Sequence, residues 1–557
     1  MFKHAVPSSP YEQLAHLHAK YDADISSGQY EPFVYPWSSF GALAVFVYLL
    51  IPHHNSRFLK LLRYPVWAFN AYFSVYTILH CRARNSAPAF SIGLISAWSI
   101  IWTATILLVH DAQTEFQRIE RSEGGVSANF QSSSNKSTEN GNAATTKAPN
   151  GISPVTTIKD VELATETKKL GSKAGPANRK GMFVWQHFPL TPFIERLDWV
   201  ADLFCNFRGM GWNWRISGLA PPPLWVQKEL QKDTGFPPED KDTHVGSDGT
   251  RRYHTRKEVL WAGLKTFVWG YIQLDALKVI ALLDPYMWGV VPVDDTASAP
   301  TFLPSLVRTS PVLIKGFRLL VSLFCIKVAL QTIFALAPLF FVGVVGTKWL
   351  GARAEPWMYP DTYGSFRMVL NKGLAGWWGG WWHQTFRFAF EAPSRRLITS
   401  LNLNRRSLPA KALQLLTAFA LSGSLHASGS YTQLGHTHPI SGPLVFFTSQ
   451  ALGIVVQIVL STFLDKAGIT AKTPRLVRQL TNFAYVHVWF FYTAPLLCDD
   501  FARGGLWMME PVPVSFLRLA GVGDGRFGWW CWGTSEEAGD WFRWHRGRHW
   551  WQSGIAF

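Results

Sequence analysis

The chain alternates between long apolar runs and polar, aromatic-rich connections, a pattern typical of helical membrane proteins. Eight runs are long enough and poor enough in charge to predict membrane-spanning helices. They cover residues 38–51, 64–79, 87–109, 259–283, 317–345, 412–427, 443–463 and 483–497. The run at 317–345 is long enough to tilt or to break at Pro338. The predicted fold class is therefore all-α, a polytopic integral membrane protein with about eight transmembrane helices.

Polar segments divide these runs into four parts. Residues 1–35 form a polar N-terminal segment, and residues 36–121 hold a unit of three predicted helices. Residues 122–180 are rich in Ser, Thr, Asn, Gly and Lys and cannot bury a core, which predicts a disordered low-complexity loop. The remaining part, 181–557, holds the other five runs. Between them we expect helices in the membrane interface, in the Trp-rich stretches 182–225, 350–395 and 505–557.

Composition strengthens the membrane interpretation. Charged residues make up 16% of the 557 residues, against about 25% in ordinary soluble proteins, and aromatic residues make up 15%. The net charge of +16 fits contact with anionic lipid or polyanionic ligands; with no nucleic-acid-binding motif present, we expect no nucleic acid partner. Five scattered cysteines share no CxxC spacing, which predicts neither a disulfide framework nor a zinc site. Residues 1–35 do not resemble a signal peptide.

His426 is the first candidate for chemistry, because ionisable groups inside apolar helices are costly and usually have a function or a partner. It lies in LTAFALSGSLHASGS, where small residues surround it. These residues leave room for a buried reaction channel, or they form a helix-packing surface around a structural histidine. His487 is a rival with large aromatic neighbours, which favour a structural role. Asp275 is a third buried polar group, and a structural pair with Lys278 at i+3 is its favoured interpretation.

A second candidate region is the segment GLAGWWGGWWHQTFRFAFEAPSRR around His383. Its glycines allow close backbone approach, and Trp382, Gln384 and Arg387 border the histidine. Aromatic rings beside arginine suit an adenine ring and phosphates. An interfacial amphipathic helix whose arginines meet lipid phosphate is the alternative.

Other spacings are weaker matches. His18 and Asp22 have the HxxxD spacing of soluble CoA acyltransferases but lie in the polar N-terminal segment. His545 and His549 have the i, i+4 spacing of a metal box, although neighbouring arginines repel a cation. We therefore expect no metal. The sequence contains no GxSxG elbow, P-loop or dinucleotide fingerprint.

Taken together, these motifs resemble the membrane-bound O-acyltransferase superfamily, in particular its fungal wax-synthase-like branch. The elements that carry the resemblance are RGMGWNW (208–214), YIQLDALKVIALLDPY (271–286), WWGGWWHQTFR (377–387) and SGSLHASG (422–429). The ending, PVPVSFLRLAG and a Trp-rich tail closing in WWQSGIAF, is similar to fungal O-acetyltransferases of terpenoid and meroterpenoid pathways. The resemblance covers most of the chain outside residues 1–35 and 122–180, with its motif region at 356–445.

The resemblance implies a helical acyltransferase core, with His426 as the intramembrane catalytic histidine and His383 as the second polar residue of the site. Wax-synthase-like members often carry a basic residue just before WHQ, where this chain has Gly379 and Gly380. The contact with CoA is therefore assigned to Arg387, with Trp382 and Gln384 beside it. Acetyl-CoA or another acyl-CoA is the expected cosubstrate, with no tightly bound cofactor.

The expected activity is acetyl transfer to a hydroxyl of a hydrophobic terpenoid or related secondary metabolite. His426 suits the role of general base because the imidazole pKa lies near neutrality. Long-chain wax ester or sterol ester synthesis is the alternative within the class, and a membrane transporter is the alternative from another class. The resemblance implies a multi-pass protein of the endoplasmic reticulum membrane.

Overall fold

The structure, a computed structural model, describes residues 7–122, 181–234, 242–523, 528–532 and 543–557. Helices dominate these residues. The first ten are α1 Pro10–Ser26, α2 Phe40–Leu50, α3 Arg57–Leu61, α4 Arg63–His80, α5 Ser86–Ala104, α6 Ala112–Glu115, α7 Phe193–Cys205, α8 Leu224–Thr234, α9 Arg256–Leu283 and α10 Ser305–Arg308. The remainder are α11 Pro311–Pro338, α12 Thr347–Leu350, α13 Arg367–Gly376, α14 Arg387–Ser400, α15 Leu408–Tyr431, α16 Val445–Lys466, α17 Ile469–Lys472, α18 Arg475–Thr493, α19 Pro495–Arg503 and α20 Phe516–Leu519.

Short strands and turns connect these helices. The strands are β1 Glu31–Pro32, β2 Val34–Tyr35, β3 Cys81–Arg82, β4 Arg118–Arg121, β5 Phe183–Gln186, β6 Arg543–His545 and β7 Gly554–Ala556. They form three small sheets, in the order β1-β3, β2-β7-β6 and β4-β5. Because β4 pairs antiparallel with β5, with Arg118 opposite Gln186, the two sides of the predicted 122–180 loop meet at one place. Residues 123–180 themselves lie outside the described residues.

All eight predicted spans are helical, although 483–497 covers the end of α18 and the start of α19. The helical class and the membrane location are confirmed. In the described part of the chain, four helices are long and apolar enough to cross a membrane: Ser86–Val109, Arg256–Leu283, Pro311–Val345 and Ile440–Lys466. The count of eight crossings is not confirmed. The first predicted span, for example, forms only the short apolar helix Trp37–Leu50.

The long span at Pro311–Val345 does not break at Pro338. Instead, α11 continues as a π-helical turn over Leu339–Val345. Proline removes one backbone donor from the helix, and single π-turns are a common way for a helix to adjust its hydrogen-bond pattern. The span therefore stays continuous through the proline.

The N-terminal unit packs directly on the second part of the chain through α5 and α15. A Cβ atom at Gly93 of α5 would lie 1.9 Å from the Ser428 carbonyl oxygen of α15, so only glycine fits there. Thr432 stabilises this contact with two hydrogen bonds. Its hydroxyl donates to the Ala89 carbonyl (2.6 Å) and accepts from the Gly93 amide (3.1 Å). The small residues on this side of α15 are therefore packing surface.

Asp275 and Lys278 do not form the predicted pair. The Asp275 carboxylate accepts from the Leu517 amide (3.1 Å) and the Ser515 hydroxyl. The Lys278 ammonium donates to the Met508 carbonyl (2.8 Å) and lies 3.9 Å from a Glu510 carboxylate oxygen. Their role is structural as predicted, but both hold the C-terminal segment onto α9, because unpaired backbone groups there offer better partners.

A fully buried ion pair joins the end of α9 to α11. The Arg318 guanidinium forms two hydrogen bonds with the Asp284 carboxylate, at 2.8 and 3.0 Å. Its Nη1 group donates to the carbonyls of Pro292, Val293 and Asp295, and Nη2 also donates to the Ser298 hydroxyl. Because these partners satisfy the charge of Arg318, the pair is tolerated inside the protein.

The predicted interfacial role of the Trp-rich stretches is wrong for several tryptophans. Trp199, Trp212 and Trp357 are buried, with at most 2% of their surface exposed. Trp212 and Trp214 join an aromatic cluster that also contains Trp102. In a chain this rich in aromatic residues, aromatic rings fill the protein core as well as lying at its surface. The tail tryptophans Trp544 and Trp550 are exposed, at 72% and 70%.

Candidate active site

The motif around His383 folds as a wide turn. A π-helical turn over Trp377–Trp381 follows α13, and the backbone becomes extended at Trp382. The Gln384 side-chain amide donates to the carbonyls of Trp378 (2.8 Å) and Trp382 (2.6 Å) and thereby closes the turn. At Gly376 a Cβ atom would lie 1.9 Å from the Met368 carbonyl oxygen, so the close approach predicted for the glycines is realised there. Gln384 is thus a structural element of the turn.

His426 lies on α15 with a defined hydrogen-bond pattern. Its Nδ1 atom is 2.8 Å from the Ser422 carbonyl oxygen. Because a carbonyl only accepts, Nδ1 carries a proton, so in the neutral ring Nε2 keeps its lone pair. Nε2 forms no hydrogen bond within the described residues. The ring also packs on Phe447 of α16, with a centroid distance of 4.2 Å, and is thereby held in one orientation.

His383 lies among aromatic rings beside His426. Its ring centroid is 6.2 Å from that of Tyr363 and 6.1 Å from that of Phe334. Burial lowers the pKa of His383 to about 3, and the neighbouring charges of His426 and Arg208 contribute to the shift. The imidazole is therefore neutral at neutral pH. Its Nδ1 atom is buried and has no hydrogen-bond partner within the described residues.

Phe447 connects the two parts of the site. Its ring contacts His426 on one side and Trp378 of the π-turn on the other, at centroid distances of 4.2 and 5.7 Å. The structure thus brings the two predicted histidines into one region, although they are 43 positions apart in the sequence.

The residues predicted to bind CoA already have partners within the protein. Arg387 pairs with the Glu391 carboxylate at 2.7 Å and donates to the Gln384 side-chain oxygen at 3.1 Å. Glu391 also pairs with Arg395. Trp382 packs against Tyr363, at a centroid distance of 5.5 Å. Contact of Trp382, Gln384 or Arg387 with CoA stays a prediction, and Arg387 must share its charge with Glu391.

Two basic residues near the site were not predicted to be functional. Arg208 of the RGMGWNW motif donates to the carbonyls of Pro360 (3.0 Å) and Asp361 (2.8 Å), which places it beside the motif region. Lys327 lies near the middle of the span Pro311–Val345, with its ammonium 5.7 Å from the Tyr363 ring centroid. A charge within an apolar run was the available signal for Lys327.

One group of described residues has metal-ligand chemistry, remote in sequence from the histidine pair. Ligand atoms of Asp242, His244 and His254 lie within 4.8 Å of one another. The Arg252 guanidinium pairs with Asp242 at 2.5 Å and so competes with a cation for that carboxylate. His487, the rejected rival, lies on an exposed face of α18, with Nδ1 bonded to the Phe483 carbonyl oxygen at 2.8 Å.

We expect Gln384→Leu to lower the free energy of unfolding by about 1–3 kcal/mol, because it leaves the carbonyls of Trp378 and Trp382 without their donor. Thermal unfolding of the purified protein in detergent measures the effect. Gln433→Leu is a matched control, since Gln433 is also buried but its amide has no hydrogen-bond partner in the described residues. Equal unfolding temperatures for Gln384→Leu and the wild type would contradict the role of Gln384.

The fold and the candidate site define a class: a helical membrane protein in which two histidines from different segments lie in one aromatic-lined region. Comparison with known proteins shows a family resemblance over part of the chain. Residues 359–449, which include His383 and His426, match the Membrane bound O-acyl transferase family. The predicted resemblance to that family is confirmed over these residues.

Fungal proteins are among the relatives. A protein named "O-Mevalon transferase yanI", from Aspergillus niger, is 27% identical over 54% of this chain and 61% of its own length. "Acetyltransferase aurG" from Calcarisporium arbuscula is 22% identical over 55% of this chain and 66% of its own. "Acetyltransferase ple2" from Rhodocybe pseudopiperita is 25% identical, with coverage of 54% and 66%. The similarity thus spans less than two thirds of each relative. No solved structure matches the chain.

Proposed function

We propose that the protein is a membrane O-acyltransferase that moves an acyl group, acetyl in the first instance, from acyl-CoA to a hydroxyl of a hydrophobic terpenoid or related secondary metabolite. The observation that carries this proposal is the hydrogen bond from His426 Nδ1 to the Ser422 carbonyl, which leaves Nε2 as a base beside His383. The acetyl preference rests on the names of relatives called acetyltransferases. The acceptor class rests on the resemblance of the sequence ending to fungal O-acetyltransferases of terpenoid pathways.

In the proposed reaction, the acceptor hydroxyl attacks the thioester carbonyl while His426 Nε2 takes the hydroxyl proton. The new C–O bond forms a tetrahedral oxyanion, which collapses as the C–S bond breaks. The leaving thiolate needs little acid assistance, because thiols have a pKa near about 8.5, and it is protonated from His426 or water. His383 donates a hydrogen bond to the oxyanion from one ring nitrogen.

The setting of the site suits two substrates of different polarity. A hydrophobic alcohol reaches the site from the lipid, whereas CoA approaches from the aqueous side past the turn of Trp382, Gln384 and Arg387. With this arrangement we propose a multi-pass protein of the endoplasmic reticulum with about eight crossings. Four helices meet both the length and the apolarity criteria in the described residues.

The test is acyl transfer by microsomes that contain the full chain. Acetyl-, butyryl- and palmitoyl-CoA are offered with terpenoid, sterol and fatty alcohols, and esters are identified by mass spectrometry. We expect acetyl esters of terpenoid alcohols. Palmitoyl esters as the main product would replace this proposal with wax or sterol ester synthesis. The absence of any ester, with protein that binds none of the CoA thioesters, would reject acyl transfer.

A further inference from the structure

Lys327 is a charged residue in the middle of a membrane span without an acidic partner. It is the 17th residue of the 35-residue span Pro311–Val345. In the described part of the chain, no acidic side chain forms an ion pair with it; its ammonium meets only the face of the Tyr363 ring, at 5.7 Å. Lone charges at this depth are costly and usually mark a binding site or a transport path.

The face of α11 that carries Lys327 points toward the histidine pair. Residues three and four positions apart share one side of a helix, so Lys327, Gln331 and Phe334 form one row. Phe334 lies at the end of this row, with its ring centroid 6.1 Å from that of His383. Lys327 and Gln331 are therefore two polar residues on the same side of α11 as Phe334, which lies next to His383.

Tyr363 connects Lys327 to the site independently of that row. Its hydroxyl donates to the Lys327 main-chain carbonyl at 3.4 Å, and its ring centroid lies 6.2 Å from that of His383. One tyrosine side chain thus contacts both the lysine segment and the candidate catalytic histidine. The Lys327 ammonium, 5.7 Å from the Tyr363 centroid, and the His383 ring therefore share Tyr363 as a neighbour.

We propose that Lys327 and Gln331 form a subsite for a carboxylate of the acceptor, so that the substrate class is a hydrophobic hydroxy acid. This inference deepens the proposed function and rests on it. An ammonium pairs with a carboxylate, and the neighbouring amide donates a second hydrogen bond. The phosphates of CoA are a less suitable ligand, because the pantetheine arm separates them from the thioester and hence from the histidines.

Two matched probes test the subsite without requiring turnover. Ursolic acid and its methyl ester share a ring system and a hydroxyl and differ at the carboxylate. Their binding to the purified full chain in detergent is followed by the ligand-induced shift in unfolding temperature. We expect Lys327→Met to weaken binding of the acid at least tenfold and to leave binding of the ester unchanged. Lys327→Arg is expected to retain binding of the acid.

Lys315→Met is the control on the same helix. Lys315 also lies over aromatic rings, 4.6 Å from the Phe491 centroid, but nearer the N-terminal end of α11. We expect this variant to bind the acid as the wild type does. Equal affinity of the wild type for acid and ester, or an equal loss of affinity in both lysine variants, would overturn the subsite.

Two further comparisons complete the test. One distinguishes a substrate carboxylate from a CoA phosphate as the anion at Lys327, and the other distinguishes the subsite from the proposed acyl transfer. If Lys327→Met weakens binding of CoA itself and leaves binding of ursolic acid intact, the anion is a CoA phosphate and the carboxylate subsite is wrong. Lys327-dependent binding of the acid without ester formation by the wild type would retain the subsite and reject acyl transfer.

Discussion

His426→Ala is expected to lower acyl transfer by about 10²–10⁴-fold, which is the usual contribution of a general base. The variant removes the Nε2 lone pair proposed as the base beside His383, because Nδ1 already donates to the Ser422 carbonyl. We expect the protein to stay folded, since the ring makes one hydrogen bond and one aromatic contact in the described residues. Single-turnover ester formation, at matched protein levels in microsomes, measures the loss.

His487→Ala is a closely matched control for this experiment. Both histidines donate from Nδ1 to the carbonyl four residues earlier, and both pack on a phenylalanine ring. His487, however, lies on an exposed face of α18. Its variant should keep wild-type turnover. Comparable activity of His426→Ala and His487→Ala would exclude the proposed mechanism.

Arg318→Leu should lower the free energy of unfolding by about 3–5 kcal/mol, because it leaves the buried Asp284 carboxylate without its counter-charge. Both side chains have no exposed surface. The measurement is thermal or denaturant unfolding of detergent-purified protein, with expression level as a second readout.

The double variant Asp284→Leu/Arg318→Leu separates the loss of the pair from the burial of a lone charge. Replacing both members of a buried pair with apolar residues is often neutral or stabilising. We therefore expect the double variant to recover most of the stability that Arg318→Leu loses. A double variant as unstable as the single one would show that the hydrogen bonds from Arg318 to the carbonyls near Pro292 dominate instead.

The positions of the helices could be predicted because membrane spans depend on length and apolarity, which are local properties of the sequence. Each of the eight predicted runs is helical, including 412–427 with His426, although 483–497 covers parts of two helices, α18 and α19. The number of crossings could not be predicted in the same way. A run such as 38–51 is apolar enough for a span but forms a helix of only 11 residues. How deeply that helix lies in the membrane depends on its packing against residues far along the chain.

The partners of polar groups were less predictable, because tertiary contacts choose them. The i, i+3 spacing favoured an Asp275–Lys278 pair, yet unpaired backbone groups of the C-terminal segment were available to both residues. Likewise, the small residues near His426 could line a channel or pack a helix. Gly93 shows that Ser428 and its neighbours pack, since the two backbones touch there.

The aromatic neighbours of His383 were also unpredictable from the sequence, because tertiary packing chooses them. Sequence alone placed His383 in a Trp-rich turn but could not place it against Phe334 and Tyr363, which come from other segments. Lys327 was detectable in principle as a charge in an apolar run. Its relation to His383 required the packing of α11 against the motif region.

The β4–β5 pair has a practical consequence for handling the protein. Because the strands hold residues 121 and 183 side by side, the chain between them starts and ends at one anchored point. Closing a loop costs only about 0.6 kcal/mol more for each doubling of its length. An affinity tag or a small fluorescent domain inserted within this stretch would therefore leave the helical core intact, and it would provide a handle for purification far from either terminus.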